Sequence, residues 1–305
     1  MNREAYLHLL GEKTELERMI AATPEEDVLD LASLAARLKH VEAALREAKA
    51  DDREPARVRL TFKGRPVIGS HGIFAEFGMK AVNGFTDSVT AMAASLNAPL
   101  AAMGPIPNRD QHPLLITNTA LGSFGFELEE HHTSQPALGD GSAVAQALAR
   151  TQSLLRGTQG TDDELADSAA EADRRALDKV RAFLEVLADN EALCTVQVGE
   201  SIVSFSDVGQ VRTSIQRLSQ ENLREESAEL RGELQGVLPR ARIFEFKLAD
   251  SSQVIRGKIS PTVSDVGALN LTLQRPTIIK VMVTRVGSGR PRYLLLEAPE
   301  ELPSS

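Results

Sequence analysis

The last third of the chain contains five strand-like segments, with one short helix between the third and the fourth. The segments alternate apolar and polar residues or are rich in β-branched residues, and turn-forming residues separate them. The predicted strands span residues 228–238, 242–248, 254–259, 277–286 and 292–297, and the helix spans 266–271. This order predicts a small five-stranded β-barrel of the OB type, although an SH3-like barrel with an inserted turn fits nearly as well.

This predicted barrel is more basic than the rest of the chain. Residues 224–297 include twelve Lys and Arg against eight Asp and Glu, a net charge of +4, whereas the whole chain carries −9, so the remainder carries −13. A basic module on an acidic chain points to an anionic partner. The residues that we predict to contact nucleic acid are Arg242, Lys247, Arg256, Lys258, Lys280, Arg285 and Tyr293.

Aromatic rings are scarce in this region, which weighs against nucleic acid. Barrels that bind single strands combine a basic groove with rings on which bases stack. The rings available are Phe244, Phe246 and Tyr293, and the alternation of the second strand favours a core position for the two phenylalanines. A structural or protein-binding barrel is therefore the competing interpretation.

Residues 1–50 are predicted to form a helical hairpin that breaks near Pro24. The apolar residues of each segment follow a heptad-like seam. These residues are Tyr6, Leu9, Leu16 and Ile20 in the first helix, and Leu31, Leu34, Leu38, Val41 and Leu45 in the second. Because so narrow a pair does not readily bury both seams, we expect it to pack on the body or on a second copy, and we predict a homo-oligomer through 1–50.

After a charged linker over residues 51–55, residues 56–223 are predicted to form a mixed α+β domain. We expect a strand hairpin at 58–62 and 67–68 and a helix from Phe74 to Leu96. The remaining predicted elements are a strand pair at 114–120 and 123–128, a helix over 143–155, a long acidic helix from Thr161 to about Asn190, a strand pair at 194–198 and 201–205, and a helix capped by Ser206 and Asp207. The predicted fold class is α+β in three parts, with the barrel over 224–300 and a tail over 301–305.

The sequence Gly69-Ser70-His71-Gly72 is the first candidate site. It lies between a predicted strand and a predicted helix, where backbone N–H groups and a helix N-terminus can bind an anion. Ser70, His71 and Gly72 are therefore candidate anion-binding residues. A tight turn requires the same glycine spacing and is the alternative.

Two further motifs carry metal-type chemistry. Carboxylates and imidazoles suit zinc or manganese, and the run from Glu127 to His132 supplies both, but a further ligand such as His112 or Asp140 is needed. Adjacent side chains on an extended segment point apart, so we predict no metal site. Glu245-Phe246-Lys247 is similar to the second half of the restriction-nuclease metal motif, yet the upstream aspartate is missing from a plausible strand position.

Several classes of protein are disfavoured by composition. Cys194 is the only cysteine, which excludes an intrachain disulfide and a thiolate metal cluster, and its strand-like neighbours predict a buried thiol. No apolar run is long enough for a membrane helix, and the residues from Met1 to Glu4 do not begin a signal peptide. We expect a cytoplasmic protein with no membrane partner.

The sequence favours a non-catalytic binding or assembly protein that recognises a macromolecular partner, either nucleic acid through the barrel or another protein. Membership of a multi-component assembly, for example a defence system, is compatible with this function. The alternative is an enzyme that acts on nucleic acid or a phosphorylated ligand through the central domain, with His71 as the first residue to test. We predict no cofactor.

Overall fold

The computed structural model describes residues 3–24, 27–47, 55–96, 98–120, 124–131 and 142–301. Residues 51–54 of the predicted linker, His132, Asp140 and residues 302–305 of the tail lie outside the described part. The described chain is α+β, as predicted, with a helical hairpin, a central sheet with helices, and a C-terminal barrel. No described helix is both long and apolar enough to span a membrane.

The N-terminal hairpin consists of helices α1 (Arg3–Ala22) and α2 (Val28–Glu47), which pack against each other. Leu16 and Val41 are buried between them. Arg37 also binds Glu12 at 2.7 Å, and Lys13 lies 3.4 Å from Glu42. The other seam residues whose side chains are described remain half-buried: Leu9, Ile20, Leu31, Leu34, Leu38 and Leu45. The predicted helices are confirmed, and pairing with a second copy stays a prediction.

The central sheet consists of β1 (Arg57–Gly64), β4 (Leu114–Ala120), β5 (Phe124–Glu130), β6 (Ala192–Val198) and β7 (Ser201–Ser204). It is antiparallel, in the order β4-β5-β1-β6-β7. A separate small hairpin is formed by β2 (Val67–Ile68) and β3 (Gly72–Ile73). Strand β1 is central because Val58, Leu60 and Phe62 alternate on one buried face. Hairpins β4–β5 and β6–β7 flank it.

The predicted hairpin between the first two strands is wrong. Strand β2 pairs with β3, whereas β1 pairs with β5 on one edge and β6 on the other. A two-residue strand offers too few backbone groups to satisfy the eight residues of β1, and the longer partners come from distant parts of the chain.

Helices cover the face of the central sheet that carries Val58, Leu60 and Phe62. The helices of the central part are α3 (Ala75–Ala94), α4 (Ala143–Gly157), α5 (Asp162–Ala169), α6 (Arg174–Asp189) and α7 (Val208–Arg217). Of these, α5 packs on α4 and on the later strand at residues 276–286. Helix α3 packs on α4 and α6, and Phe85 meets Phe183 edge-to-face with ring centroids 5.6 Å apart. Edge-to-face pairs add stabilisation beyond the burial of the rings. The central core therefore lies between one helical layer and one sheet face.

The long acidic helix predicted from Thr161 to Asn190 is also wrong, because the chain breaks between α5 and α6. Asp173 begins α6, where one carboxylate oxygen accepts the N–H of Arg175 at 2.9 Å and the other accepts the N–H of Leu100 at 2.9 Å. Aspartate competes with helical backbone bonds in this way and prefers the N-cap. Thr161 and Glu164 form a capping box at the start of α5.

The C-terminal barrel is closed, as predicted. Its strands are β8 (Leu223–Leu238), β9 (Ile243–Leu248), β10 (Val254–Ile259), β11 (Pro276–Val286) and β12 (Arg292–Leu295), and the two-residue strand β13 (Glu300–Glu301) pairs with β11. The closed order is β8-β9-β10-β12-β11, in which only β10 and β12 run parallel. A short 3₁₀ helix over Ala268–Thr272 lies between the third and fourth barrel strands, which is the OB-type order. Phe244 and Phe246 lie in the barrel core, as expected.

Strands β8 and β11 extend beyond the barrel as a two-stranded ribbon. Leu223 and Val286 face each other in its register, yet both belong to the core of the central sheet and helices. The ribbon therefore connects the core of the barrel with the core of the central part.

Candidate interaction surfaces of the C-terminal barrel

One side of the barrel contacts acidic residues of the central part of the chain. The guanidinium of Arg292 donates to the carboxylates of Asp163 and Asp167, and Lys258 forms an ion pair with Glu171. The hydrogen bond from Arg292 to Asp167 is the main reason that the pKa of Arg292 lies above its usual value. Charge-assisted bonds of this kind are stronger than neutral ones. These cations are thus engaged within the molecule.

The loop between β11 and β12 completes this contact. The N–H of Ser288 donates to Asp162 at 3.4 Å, and the N–H of Arg290 donates to Asp163 at 3.1 Å. Gly287 has φ +49°, and a Cβ atom there would lie 2.6 Å from the carboxylate of Asp162. Glycine adopts this left-handed backbone conformation without strain, whereas other residues rarely do. We call Lys258, Arg292 and the loop 287–290 the docked face.

The outer side of strands β8, β9 and β10 carries exposed and half-buried residues. The strand register aligns three cross-strand rows on it, and the alternate residues lie in the barrel core. We call this surface the open face, and its residues are Glu233, Gly236, Leu238, Ile243, Glu245, Lys247, Val254 and Arg256. Lys258 lies in the same cross-strand row as Leu238 and Ile243, but we assign it to the docked face because it forms an ion pair with Glu171.

Charges on the open face alternate in sign. Arg256 lies directly opposite Glu245, and Lys247 lies between Glu233 and Val254. Opposite charges in cross-strand positions stabilise a sheet modestly. No aromatic residue is among its members, so the face lacks a platform for base stacking.

The structure separates the seven residues predicted to contact nucleic acid. Lys247, Arg256 and Arg285 are exposed, whereas Lys258 is engaged by Glu171 and Lys280 lies 2.7 Å from Glu297. The remaining two are half-buried and contact other parts of the barrel. Arg242 donates to the carbonyl oxygens of Ile259, Ser260 and Val263, and Tyr293 packs against the barrel core.

Arg285 has an unusual neighbour. It pairs directly with Arg224 across the ribbon of β8 and β11, and both residues are exposed. Like charges in directly opposite positions destabilise a strand pair. An anion placed between them would remove that repulsion.

The candidate anion site at 69–72 is a hairpin tip. The N–H of His71 donates to the carbonyl of Ile68 at 2.9 Å, and Gly69 has φ +54°, as a tight turn requires. Helix α3 begins at Ala75, and its N-cap Phe74 makes no side-chain cap bond. Ser70 and His71 are exposed, and anion binding at this tip stays a prediction.

The acidic end of β5 has structural contacts. Glu129 binds Arg57 at 3.0 Å. Glu130 accepts the hydroxyl of Ser142 at 2.6 Å and the N–H of Ala56 at 3.3 Å, which ties β5 to the start of β1 and to the N-cap of α4. Over the described ranges, no group of three or more His, Cys, Asp or Glu side chains is placed to hold a metal ion.

Other candidates for reactivity are weak. Cys194 is buried, as predicted, and burial raises the pKa of its thiol, so the reactive thiolate is disfavoured. An open polar groove of about 420 Å³ runs beside α5 and is lined by Arg156, Glu164 and Asp167 among others. Because Asp167 already binds Arg292, this groove borders the docked face.

No protein-family model matches the chain, and neither does any curated protein or solved structure.

Sequence reasoning missed the partners of the docked face. Local sequence places Asp162 and Asp163 only at the start of a predicted helix, and residues 287–290 only between two predicted strands. The charge contrast between the barrel and the remainder was the available signal, because opposite charges on one chain can bind each other as readily as an external partner.

Proposed function

We propose that this protein is a non-catalytic binding protein and that the open face of its barrel recognises a protein partner. The observation that carries the proposal is the composition of that face. Leu238 and Val254 are 57% and 53% exposed at its two ends, and between them charges of both signs alternate. A surface of this kind supplies apolar burial together with charge complementarity, which sets the orientation of a protein partner.

Affinity capture with paired variants tests this proposal. We expect a partner to co-purify with the wild-type chain and to be lost with Leu238→Asp combined with Arg256→Glu. The matched control is Ile202→Asp combined with Arg212→Glu, which makes the same chemical changes at exposed positions on β7 and α7. The purified partner must also bind the wild type and the control double variant more tightly than the open-face double variant. Equal binding by both double variants would remove the open face from the proposal.

Nucleic-acid binding is the second candidate, and the arginine pair on the ribbon favours it. Arg224 and Arg285 add two exposed positive charges at directly opposite positions, and phosphate groups are the anions that such charges attract. Because stacking rings are absent from the open face, the contact would be to the phosphate backbone and would tolerate many sequences. The chain's net charge of −9 would keep the affinity low and sensitive to salt.

Fluorescence anisotropy with labelled single- and double-stranded DNA and RNA tests this candidate across salt concentrations. Saturable binding that weakens with salt, and that is lost in Arg224→Ala/Arg285→Ala, is the expected result. Lys63→Ala/Arg212→Ala removes the same charge elsewhere and should bind like the wild type. Loss of binding in Lys247→Ala/Arg256→Ala alone would move the site to the open face, and no binding at low salt would end this candidate.

We also propose that the hairpin over 1–50 mediates self-association, in a cytoplasmic setting. Leu29 is 86% exposed and Met19 is 44% exposed, so the hairpin keeps apolar surface outside its own interface. Deletion of residues 1–50 should lower the number of subunits in the particle, as measured by sedimentation. An unchanged subunit number would contradict this role.

A further inference from the structure

The two edges of the central sheet differ in their protection. Strand β7 has four residues, whereas β4 has seven, Leu-Leu-Ile-Thr-Asn-Thr-Ala, without a charged residue or a proline. Positions 115–119 of β4 are all exposed, and Leu115 and Ile116 are 37% and 58% exposed. Along the described part of the chain, β4 pairs with β5 only. Among the described residues, this edge of the sheet is therefore long, uncharged and unpaired.

An open edge is a binding surface because its outward N–H and C=O groups lack strand partners. Proteins that stay monomeric protect such edges with charges, prolines, bulges or short strands. Strand β4 has partial protection at its C-terminal half only. A bulge lies between Ile116 and Asn118, and the side chain of Asn118 accepts the N–H of Thr119 at 2.8 Å. The half that carries Leu115 and Ile116 lacks these devices.

We propose that β4 pairs antiparallel with β4 of a second copy of this chain, about a two-fold axis. In such an interface the strand faces its own sequence. A charged residue near the axis would then face its own like charge, and β4 has none. The pairing would also bring Leu115 and Ile116 of both copies together and join two five-stranded sheets into one.

The charges around β4 do not oppose pairing of two copies at this edge. Each copy carries a net charge of −9, so two copies repel each other at distance. Near β4 the charges are already matched, since Arg57 binds Glu129 at 3.0 Å and Arg59 lies 4.0 Å from Glu127 on the adjoining strands. The neutral edge is thus a place where two copies can approach without opposing like charges. Added salt should strengthen the association because it screens the long-range repulsion.

Sedimentation equilibrium of the full chain tests the proposal. We expect Ile116→Lys to halve the particle mass, because it sets two ammonium groups against each other at the axis. Ile202→Lys places the same substitution on the other edge, where Ile202 is 55% exposed, and should leave the mass unchanged. Circular dichroism and thermal melting should show that both variants remain folded. A monomeric wild type, or an unchanged mass for Ile116→Lys, overturns the proposal.

A crosslink provides an independent measurement. Cα atoms of directly opposed residues in antiparallel strands lie about 4.5–5.5 Å apart, within the range of about 4.4–6.8 Å that a disulfide spans. Under oxidising conditions Ile116→Cys or its neighbour Leu115→Cys should form a covalent dimer. Ile202→Cys should not, and Cys194 is buried and unreactive in every variant. Failure of both β4 cysteines to crosslink would exclude this register of pairing.

Discussion

The docked face and the open face of the barrel have the same kinds of residue but different environments. On the docked face, Arg292 and Lys258 each meet a carboxylate from the central part of the chain. On the open face, Arg256 and Lys247 lie among glutamates of the barrel itself and are exposed. Part of the basic surplus of the barrel is therefore neutralised inside the molecule. A cation indicates an external partner only when no partner within the fold has bound it.

The largest expected effect tests whether docking joins the barrel to the central core. Phe246 is fully buried, so Phe246→Ala should lower the free energy of unfolding by about 3–5 kcal/mol. Because the ribbon and the docked face connect the two cores, we expect a single urea transition by both far-UV circular dichroism and amide exchange. Phe183→Ala in the central core should shift the same transition. A barrel that unfolds first, in a transition of its own, would show that the docking is too weak to couple them.

A matched pair of substitutions compares the two faces directly. Arg292→Ala should cost about 1–1.5 kcal/mol, because a partly buried guanidinium loses bonds to two carboxylates. The value is at the low end because the side chain of Asp167 is 67% exposed and solvent screens the pair. Arg256→Ala should change stability by no more than about 0.5 kcal/mol. Equal values in urea unfolding would erase the distinction between the faces.

Helix α5 presents the carboxylates of the docked face, so its N-cap should matter for docking. Thr161→Ala should cost about 0.5–1 kcal/mol by removing the capping box. It should also speed amide exchange at Ser288 and Arg290, whose N–H groups bind Asp162 and Asp163. Asp207→Ala removes the cap of α7, and it should lower stability without that effect on exchange.

The smallest effect concerns the ribbon that leads to the docked face. Burial, together with Asp173 and Asp178, raises the pKa of Glu225 above its usual 4.5, although Arg174 opposes this shift. The folded state therefore binds this proton more tightly than the unfolded state, and the ionised carboxylate lowers stability at neutral pH. The penalty is relieved as the pH falls through the raised pKa towards 4.5.

Glu225→Gln should therefore melt at a higher temperature than the wild type at pH 7. The difference should shrink as the pH falls and vanish below the unfolded value of 4.5. Thermal melting over a pH series measures it. A difference that does not change with pH would mean that Glu225 acts through packing and not through its charge.

Several elements follow directly from local sequence. The alternation around Phe244 and Phe246 predicts both strand β9 and the buried position of the two rings. The spacing of Phe77, Phe85 and Val89 predicts the buried face of α3. In contrast, the partners of β1 come from residues 124–130 and 192–198, and no local pattern in β1 indicates them.

The candidate site was predictable only in part for the same reason. Arg256 and Lys258 lie two residues apart on one strand and have the same pattern of neighbours, yet only Lys258 meets Glu171. Lys280 and Arg285 likewise differ through Glu297 and Arg224, which are distant in sequence. Sequence shows that a side chain is charged, but it does not show what lies opposite.

The sequence by itself determined the α+β class, most helices and strands, the succession of the barrel strands along the chain and the contrast between acidic and basic regions. Periodic burial and local backbone preferences produce these features, and both act over a few residues. The tertiary structure alone decided the strand order of the central sheet, the uncharged open edge at β4 and the division of the barrel into a docked and an open face. These features depend on contacts between residues far apart in the chain, where long-range packing and charge pairing select one arrangement among many that local patterns allow.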